Sequence, residues 1–462
     1  MTTYTLSRNS PRNAVLTDPD GNIAYKISTP FALKNFTTTI TRANESDVIA
    51  LLHWSVLDSD EITINGVTQK INDAFPKPDS VGRTRVYTTA EGEQFKWVYS
   101  LKLYCVSEPS GLNIATYYKT LFAGLRGKKS TLDIAPSALH LSDLLVALPL
   151  DEEGWKAALD SLPSASENNG KIPAFFFAHG SPNLLRDTTG DPIFSNMRSQ
   201  DINGTLPRFL RMFGPALLAK YNPRGIVVFS AHWEEDEEVL VSDYDENPLL
   251  MDYYGFESWM YRVKFQSRGD PELSARIVEA LKAGGFKSRT LGKMEWRGHD
   301  GRRGASGTGF DHGVFVPFKF MFGDEFTSIP IVEVSQDGDL SPERNWEIGK
   351  AVDCLRSEGY LILSGGLTIH TFQDWSAWHE DSAAPPYLAF HKALMRALAV
   401  QDPIERKRTL LSLTSHPAFR ISHPREDHFT PLYVAAGAGD IGGSRVLDAN
   451  YGLASVAFGI EN

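Results

Sequence analysis

The sequence predicts an α/β protein with a largely parallel central sheet covered by helices, preceded by a smaller β-rich domain of barrel or sandwich type. Three observations predict it. Residues 1–105 are built from short alternating apolar and polar runs set between turn residues. From residue 172 onward, compact apolar runs alternate with segments of helical period. Three of those apolar runs deliver a histidine at or just past their ends.

In chain order, the first domain (1–155) contributes the runs YTLSR, NIAYKIST, FTTTITRA, VIALLHWSVL, EITINGVTQKI, RTRVYTT and FKWVYSLKLYCV. Turn chemistry such as DPDGN (18–22) and AEGE (90–93) separates them, a spacing typical of antiparallel meanders. SALHLSDLLVALPL (137–150) has a helical period and is expected to pack on or into this domain. Residues 156–171 read as a linker, because SLPSASENNGK (161–171) is small, polar and turn-prone.

The second domain (172–462) opens with the strand IPAFFFAH, followed by a helix over 205–221 and the strand GIVVFSAH. Residues 270–285 predict a helix with Asp270 as cap, Pro271 in the first turn and Gly284–Gly285 as stop. IPIVEVS (329–335) is a strand and 341–359 a helix opened by Ser341–Pro342. YLILSGG is a strand and PPYLAFHKALMRALAV (385–400) a helix. Strands this uniformly apolar are covered on both faces.

Composition narrows the function classes. The chain has 462 residues, 42% of them hydrophobic and 22% charged, with a formal net charge of −11. Neither half is basic and no Lys/Arg stripe appears, which argues against nucleic-acid binding. The two cysteines, Cys105 and Cys354, form neither a disulfide framework nor a zinc-ribbon spacing, so a reducing compartment is expected. No run approaches the roughly 18 apolar residues of a membrane span. The start MTTYTLSRNSPRN has no apolar core of a secretory signal, and FGIEN carries no lipidation motif. The expected location is cytoplasmic.

Ten of the twelve histidines follow residue 171. His179, His232 and His370 sit beyond apolar strands, and ligands in open α/β sheets bind beyond the carboxyl ends of strands. His312 stands in the Gly-rich stretch GTGFDHGVFVPF, and His428 in the polar cluster SHPREDHFTPLY. Imidazole binds zinc and non-haem iron and moves protons near neutrality. Five histidines suffice for a mononuclear metal site plus an acid/base pair. None has helical i, i+4 spacing, so the ligands must come from separate loops. Each histidine taken alone also fits a plainer role. A strand-end histidine can cap a helix, His312 can pair with Asp311 in a turn, and His428 can sit in a solvated charged turn with Glu426 and Asp427.

Residues 172–462 resemble the class III extradiol ring-cleavage dioxygenases, in the 4,5-DOPA dioxygenase-like branch of the aromatic-ring-opening superfamily. FFFAHGSP, VVFSAHW, GFDHGVFVPF, LILSGGLTIH and PREDHFTPLYVAAGA carry the resemblance, in the family's order. It implies His179, His232 and His428 as metal ligands, and His370 as acid/base or as a further ligand. It implies His312 as a histidine that hydrogen-bonds substrate or oxygen. Here the third-ligand motif reads Pro424–Arg425–Glu426–Asp427–His428, which leaves Glu426 or Asp427 open as a carboxylate ligand. Arg302 and Arg303, in a stretch longer than the simplest members show, are candidates for a substrate carboxylate. Residues 1–155 resemble a β-rich domain of unknown function common in fungal proteins, with no activity or partner assigned.

The resemblance implies one divalent metal per chain, Fe(II) or Zn(II), with dioxygen as co-substrate and a small aromatic diol as substrate. A zinc hydrolase with the same ligands and a non-catalytic binding protein on the same fold are the rival expectations.

Overall fold

The structure, a computed structural model, describes the chain except residues 8–13, 29–34, 56–60, 65, 77–83, 90–91, 100–102, 109, 119–129, 148–154, 156–157, 160, 299–306, 381 and 462. It divides into two compact units, Met1–Ser161 and Leu162–Asn462. Among the described residues, no helix is long and apolar enough to cross a membrane.

The first unit is one antiparallel sheet of twelve strands. Its spatial order runs from Val67–Lys70 through Glu61–Ile64, Val48–Ser55, Asn35–Arg42, Ile23–Ser28 and Val15–Thr17 to Thr2–Leu6. It continues through Thr131–Ile134, Asn113–Tyr118, Leu103–Ser107 and Gln94–Tyr99 to Thr84–Thr88. The first strand therefore lies in the middle, paired with Thr131–Ile134 from Thr2↔Ile134 to Thr5↔Thr131. Among the described residues, the strands pair as one continuous sheet. One core gathers Ile62 from near one end of the sheet and Trp97 from near the other, so the sheet curls around it. The helix Ser142–Ala147, within the segment of helical period, adds Leu145 and Val146 to that core. The β region extends past residue 105, through strands at 113–118 and 131–134.

The segment read as a linker is docked from Leu162 onward. Asn168 is fully buried, donates to the carbonyl of Gly459 (3.0 Å) and accepts from the amide of Glu461 (2.7 Å). Tyr221 donates to Pro163 (3.0 Å). Small polar residues suit a linker, but they also satisfy the backbone at the margin of a sheet, and here they do the latter.

The second unit holds an eight-stranded sheet in the order Ser288–Gly292, Val239–Asp243, Ile331–Asp337, Gly225–Glu235, Tyr360–Gly366, Ala174–Ala178, Ser455–Ile460, Gly443–Asp448. The four strands from Ile331–Asp337 to Ala174–Ala178 are mutually parallel. The sheet is less parallel than expected. Val239–Asp243 pairs antiparallel with Ile331–Asp337, and the hairpin 443–460 closes the other side antiparallel. A hairpin needs only a short turn, whereas every parallel neighbour needs a crossover.

Helices form where their signals stand. Asp270 caps Pro271–Ala283 by accepting from Glu272 (3.0 Å) and Leu273 (3.2 Å). Thr205–Tyr221 and Pro385–Leu398 are helical, while the stretch 341–359 splits into Pro342–Ala351 and Cys354–Ser357. Leu273, Ile277, Ile348, Val352 and Val434 from the helices pack against Val227, Phe229 and Val334 of the sheet in one apolar layer. The helix Pro431–Ala438, buried throughout, crosses Pro342–Ala351 at glycine. A Cβ on Gly437 would lie 2.0 Å from the carbonyl oxygen of Trp346.

Candidate metal centre

Three neighbouring strands of the parallel core carry three of the histidines. His179 directly follows Ala174–Ala178, and its amide donates to Gly366 at the end of the adjacent strand (3.1 Å). His370 lies four residues beyond Tyr360–Gly366, its amide donating to Ser422 (2.9 Å). His232 is not past a strand end as the apolar run suggested. It lies inside Gly225–Glu235, where pairing with Ile331–Asp337 breaks after Phe229↔Val334 and resumes at Glu234↔Gln336. That irregularity releases residues 230–233 from pairing with Ile331–Asp337, while Ser230 still pairs with Gly365 on the other side, a common use of bulges beside active sites.

His428 arrives from the loop before Pro431–Ala438. Its carbonyl accepts from Leu367 (2.8 Å), tying the loop to the Gly365–Gly366 strand end. Gly366 permits this contact, since a Cβ there would stand 2.4 Å from that carbonyl oxygen. His312 is the first residue of the helix His312–Phe322.

The five rings converge. Nε2 of His232 lies 3.0 Å from Nε2 of His428. The ring of His179 stands 4.9 Å from that of His232 and 5.2 Å from that of His428, centroid to centroid. His179, His232 and His428 each present a nitrogen within 4.8 Å of the others. His370 stacks on His428 with centroids 3.5 Å and planes 11° apart, and His312 stacks on His232 at 4.1 Å and 26°.

Carboxylates stand behind three of the rings. Nδ1 of His232 faces Asp311 Oδ1 (3.1 Å), Nδ1 of His428 faces Asp427 Oδ2 (3.1 Å), and Nδ1 of His312 faces Asp252 Oδ2 (2.9 Å). The Asp311 carboxylate at Nδ1 of His232 accepts the N–H there and leaves a lone pair on Nε2. That lone pair points at Nε2 of His428, an arrangement suited to a cation. His179 is 1% exposed, yet neither ring nitrogen has a hydrogen-bond partner among the described residues. A buried, unpaired imidazole beside two converging Nε2 atoms is a donor set fit for a divalent metal.

Burial first, and then the neighbouring imidazoles, push the pKa of His179 and of His370 well below the usual histidine range. Burial alone would raise Asp311, but Arg297 and His232 outweigh it and hold that carboxyl well below the usual carboxylate range. Asp427 is likewise lowered, with burial opposed by His428, His370 and Arg425. Among the described residues, Asp427 also joins His370 and His428 in a group able to hold a metal, in competition with its place behind His428. Glu426 turns away, its carboxylate bound by Arg420, and the structure brings Asp427, not Glu426, to the cluster.

The pairing of His312 differs from the sequence expectation. Its partner is Asp252, sixty residues earlier in the chain, while Asp311 serves His232. Arg302 and Arg303 lie outside the described residues. Sequence reasoning missed Asp252, Arg297 and Glu333. The signal available was Glu333 itself, a charged residue inside the apolar run IPIVEVS, fully buried in the sheet.

At the mouth of the site, Phe372 is 57% exposed and stands edge-on to His370 at 5.2 Å. Trp375 lies 5.9 Å from Phe372 and 5.8 Å from Phe194, which extends the aromatic wall.

Comparison with known proteins places this geometry in context. The model of the catalytic LigB subunit of aromatic ring-opening dioxygenase matches residues 173–458. A family of unknown function (DUF6593) matches residues 9–147. A protein of Schizosaccharomyces pombe, named 4,5-DOPA dioxygenase extradiol-like protein, is 43% identical over 309 residues, covering 66% of this chain and 97% of its own length. The 4,5-DOPA dioxygenase extradiol of Beta vulgaris is 31% identical over 59% of this chain and 88% of its own. The Escherichia coli protein of the same name is 29% identical over 58% and 86%.

Proposed function

The chain belongs to the family of catalytic LigB subunits of aromatic ring-opening dioxygenases, and from that premise we propose that it opens a substituted catechol beside its diol, using dioxygen and one divalent metal ion. The enzyme is an oxidoreductase of the extradiol type. Supporting the reading most directly is the meeting of His179, His232 and His428, from three separate segments, with both nitrogens of His179 unpaired.

In this reading those three histidines hold Fe(II) or Zn(II). The bound metal would supply Lewis-acid activation of the catechol oxygens and a binding position for dioxygen. The chain's own side chains do the rest. His370, stacked on His428 and flanked by Phe372 and Trp378, takes a phenolic proton and returns one as the ring opens. Burial holds its pKa well below the usual histidine range, so the ring starts neutral. His312, held through Nδ1 by Asp252, offers its other nitrogen for hydrogen bonding to substrate or oxygen. Phe372 presents an exposed aromatic face to the substrate ring. One ring C–C bond next to the diol breaks and both oxygen atoms enter the product, a muconic semialdehyde. DOPA is the first candidate substrate, because three relatives are named for it.

The test is oxygen uptake by protein reconstituted anaerobically with Fe(II), against DOPA, caffeate and protocatechuate. One oxygen consumed per catechol, with a yellow product, is expected. No uptake with any catechol, despite one bound metal per chain, would sink the reading.

A further inference from the structure

Asp311 sits at the centre of a buried polar network that runs from the histidine cluster into the sheet. It is fully buried. Its Oδ1 accepts from the hydroxyl of Ser230 (2.8 Å) and the amide of Gly313 (2.8 Å), and faces Nδ1 of His232 (3.1 Å). Its Oδ2 accepts from Arg297 (2.6 Å). Arg297, also buried, donates to both oxygens of Glu333 (2.9 and 2.8 Å) and to the carbonyl of Gly309 (2.8 Å). Its guanidinium lies 4.5 Å from the ring of Trp233, the residue after His232.

A neutral imidazole carries one N–H and one lone pair, and the nitrogen that holds the proton cannot bind a metal. By accepting from Nδ1, the carboxylate behind His232 leaves the lone pair on Nε2, the nitrogen that faces His428. Asp311 cannot turn away, because its other bonds engage both of its oxygens. Gly313 leaves room for the contact: a Cβ there would stand 2.7 Å from Nδ1 of His232 and 3.0 Å from Asp311 Oδ1. The same Asp311 caps the helix His312–Phe322, so it also sets where His312 begins.

We propose that Asp311 is the positioning residue of the metal centre, fixing the tautomer and ring plane of His232 while placing His312 through the helix cap. Arg297 and Glu333 hold it from the far side. The inference rests on the proposed assignment of His179, His232 and His428 as ligands. Carboxylates in this position typically change metal affinity about 10- to 100-fold.

The experiment compares metal-free wild-type protein with Asp311→Asn, titrating Zn(II) alone against a competing chelator. Asparagine keeps the shape and a capping oxygen but removes the charge. Expected is a single site in both, weakened about 10- to 100-fold in the variant. Unchanged affinity in folded Asp311→Asn, with only a lower melting temperature, would overturn the proposal in favour of a merely structural role. A second measurement needs no change at Asp311. In ¹⁵N-histidine spectra of the wild type, assigned with His232→Gln, His232 should be protonated on Nδ1 and couple to ¹¹³Cd through Nε2. Coupling through Nδ1, or a proton on Nε2 in the metal-free protein, would overturn it. Should Asp311→Asn not fold, these spectra decide alone. Wild type that binds no metal would remove the proposed function and this inference together, whereas wild-type binding with equal affinity in Asp311→Asn removes only the inference.

Discussion

Two histidines that touch the same neighbour are expected to fail in different ways. His232→Ala should lose bound metal and ring opening together, because its Nε2 lies 3.0 Å from that of His428 and helps define the donor set. His370→Ala should retain about one metal per chain and lose turnover by roughly 100-fold or more, the usual scale of general acid–base catalysis. Metal analysis of the purified variants separates the two, and joint loss at position 370 would make His370 a ligand instead. Phe372→Ala should raise KM for ring-substituted catechols several-fold while leaving kcat nearly intact, because Phe372 stands edge-on to His370 among Trp375 and Trp378 and is more than half exposed. Equal KM values across the panel would count against it. The places of His179 and His370 were legible in the sequence because apolar strands announce themselves and strand ends are where such sheets bind ligands. The acids behind His232 and His312 were not, since Asp311 lies 79 residues from His232 and Asp252 lies 60 from His312. No local pattern reports a contact over that distance.

At the scale of elements, the centre depends on strand ends and loops approaching at backbone distance. Gly366→Ala would put a Cβ 2.4 Å from the His428 carbonyl and 2.8 Å from Phe176. It should cost about 1–3 kcal/mol by overpacking and displace His428. Chemical denaturation together with metal titration checks both effects, and unaltered metal affinity would show that the strand end does not hold the loop. Helix boundaries such as Asp270–Pro271 were readable because caps and prolines mark them. The strands Val239–Asp243 and Gly443–Asp448, toward the two sides of the sheet, were missed. Such short strands carry little periodicity, and their pairing is decided by the sheet they join. The break in pairing that projects His232 was equally invisible, because SAHW continues an apolar run.

For the whole molecule, acid is expected to weaken the fold before most carboxylates titrate. Burial pushes both His391 and His423 down to about 4. The unfolded chain takes up those protons near 6.5, so the folded state binds fewer between the two values. Their contribution is complete above about pH 6.5, declines as pH falls toward 4, and amounts to on the order of 3 kcal/mol each at most. Urea unfolding of metal-free protein at pH 7, 5.5 and 4.5 should show the decline, and His391→Phe should make it shallower. An unchanged slope in the variant would argue against the assignment. The chain changes period near residue 172, while the structure divides it after Ser161, so Leu162–Lys171 goes with the second unit.

The place of Ala174–Ala178 in its sheet also sets when, during synthesis, its two edges can be covered. This strand leaves the ribosome early, as a wholly apolar segment with three consecutive phenylalanines. Its two partners, Tyr360–Gly366 and Ser455–Ile460, are translated about 180 and 280 residues later. Until the second of them arrives, the strand that precedes His179 has an open edge of the kind that recruits other chains. Ser455–Ile460 covers that edge once it pairs, and chains cut short before Ser455 should accumulate as aggregates more than chains that include it.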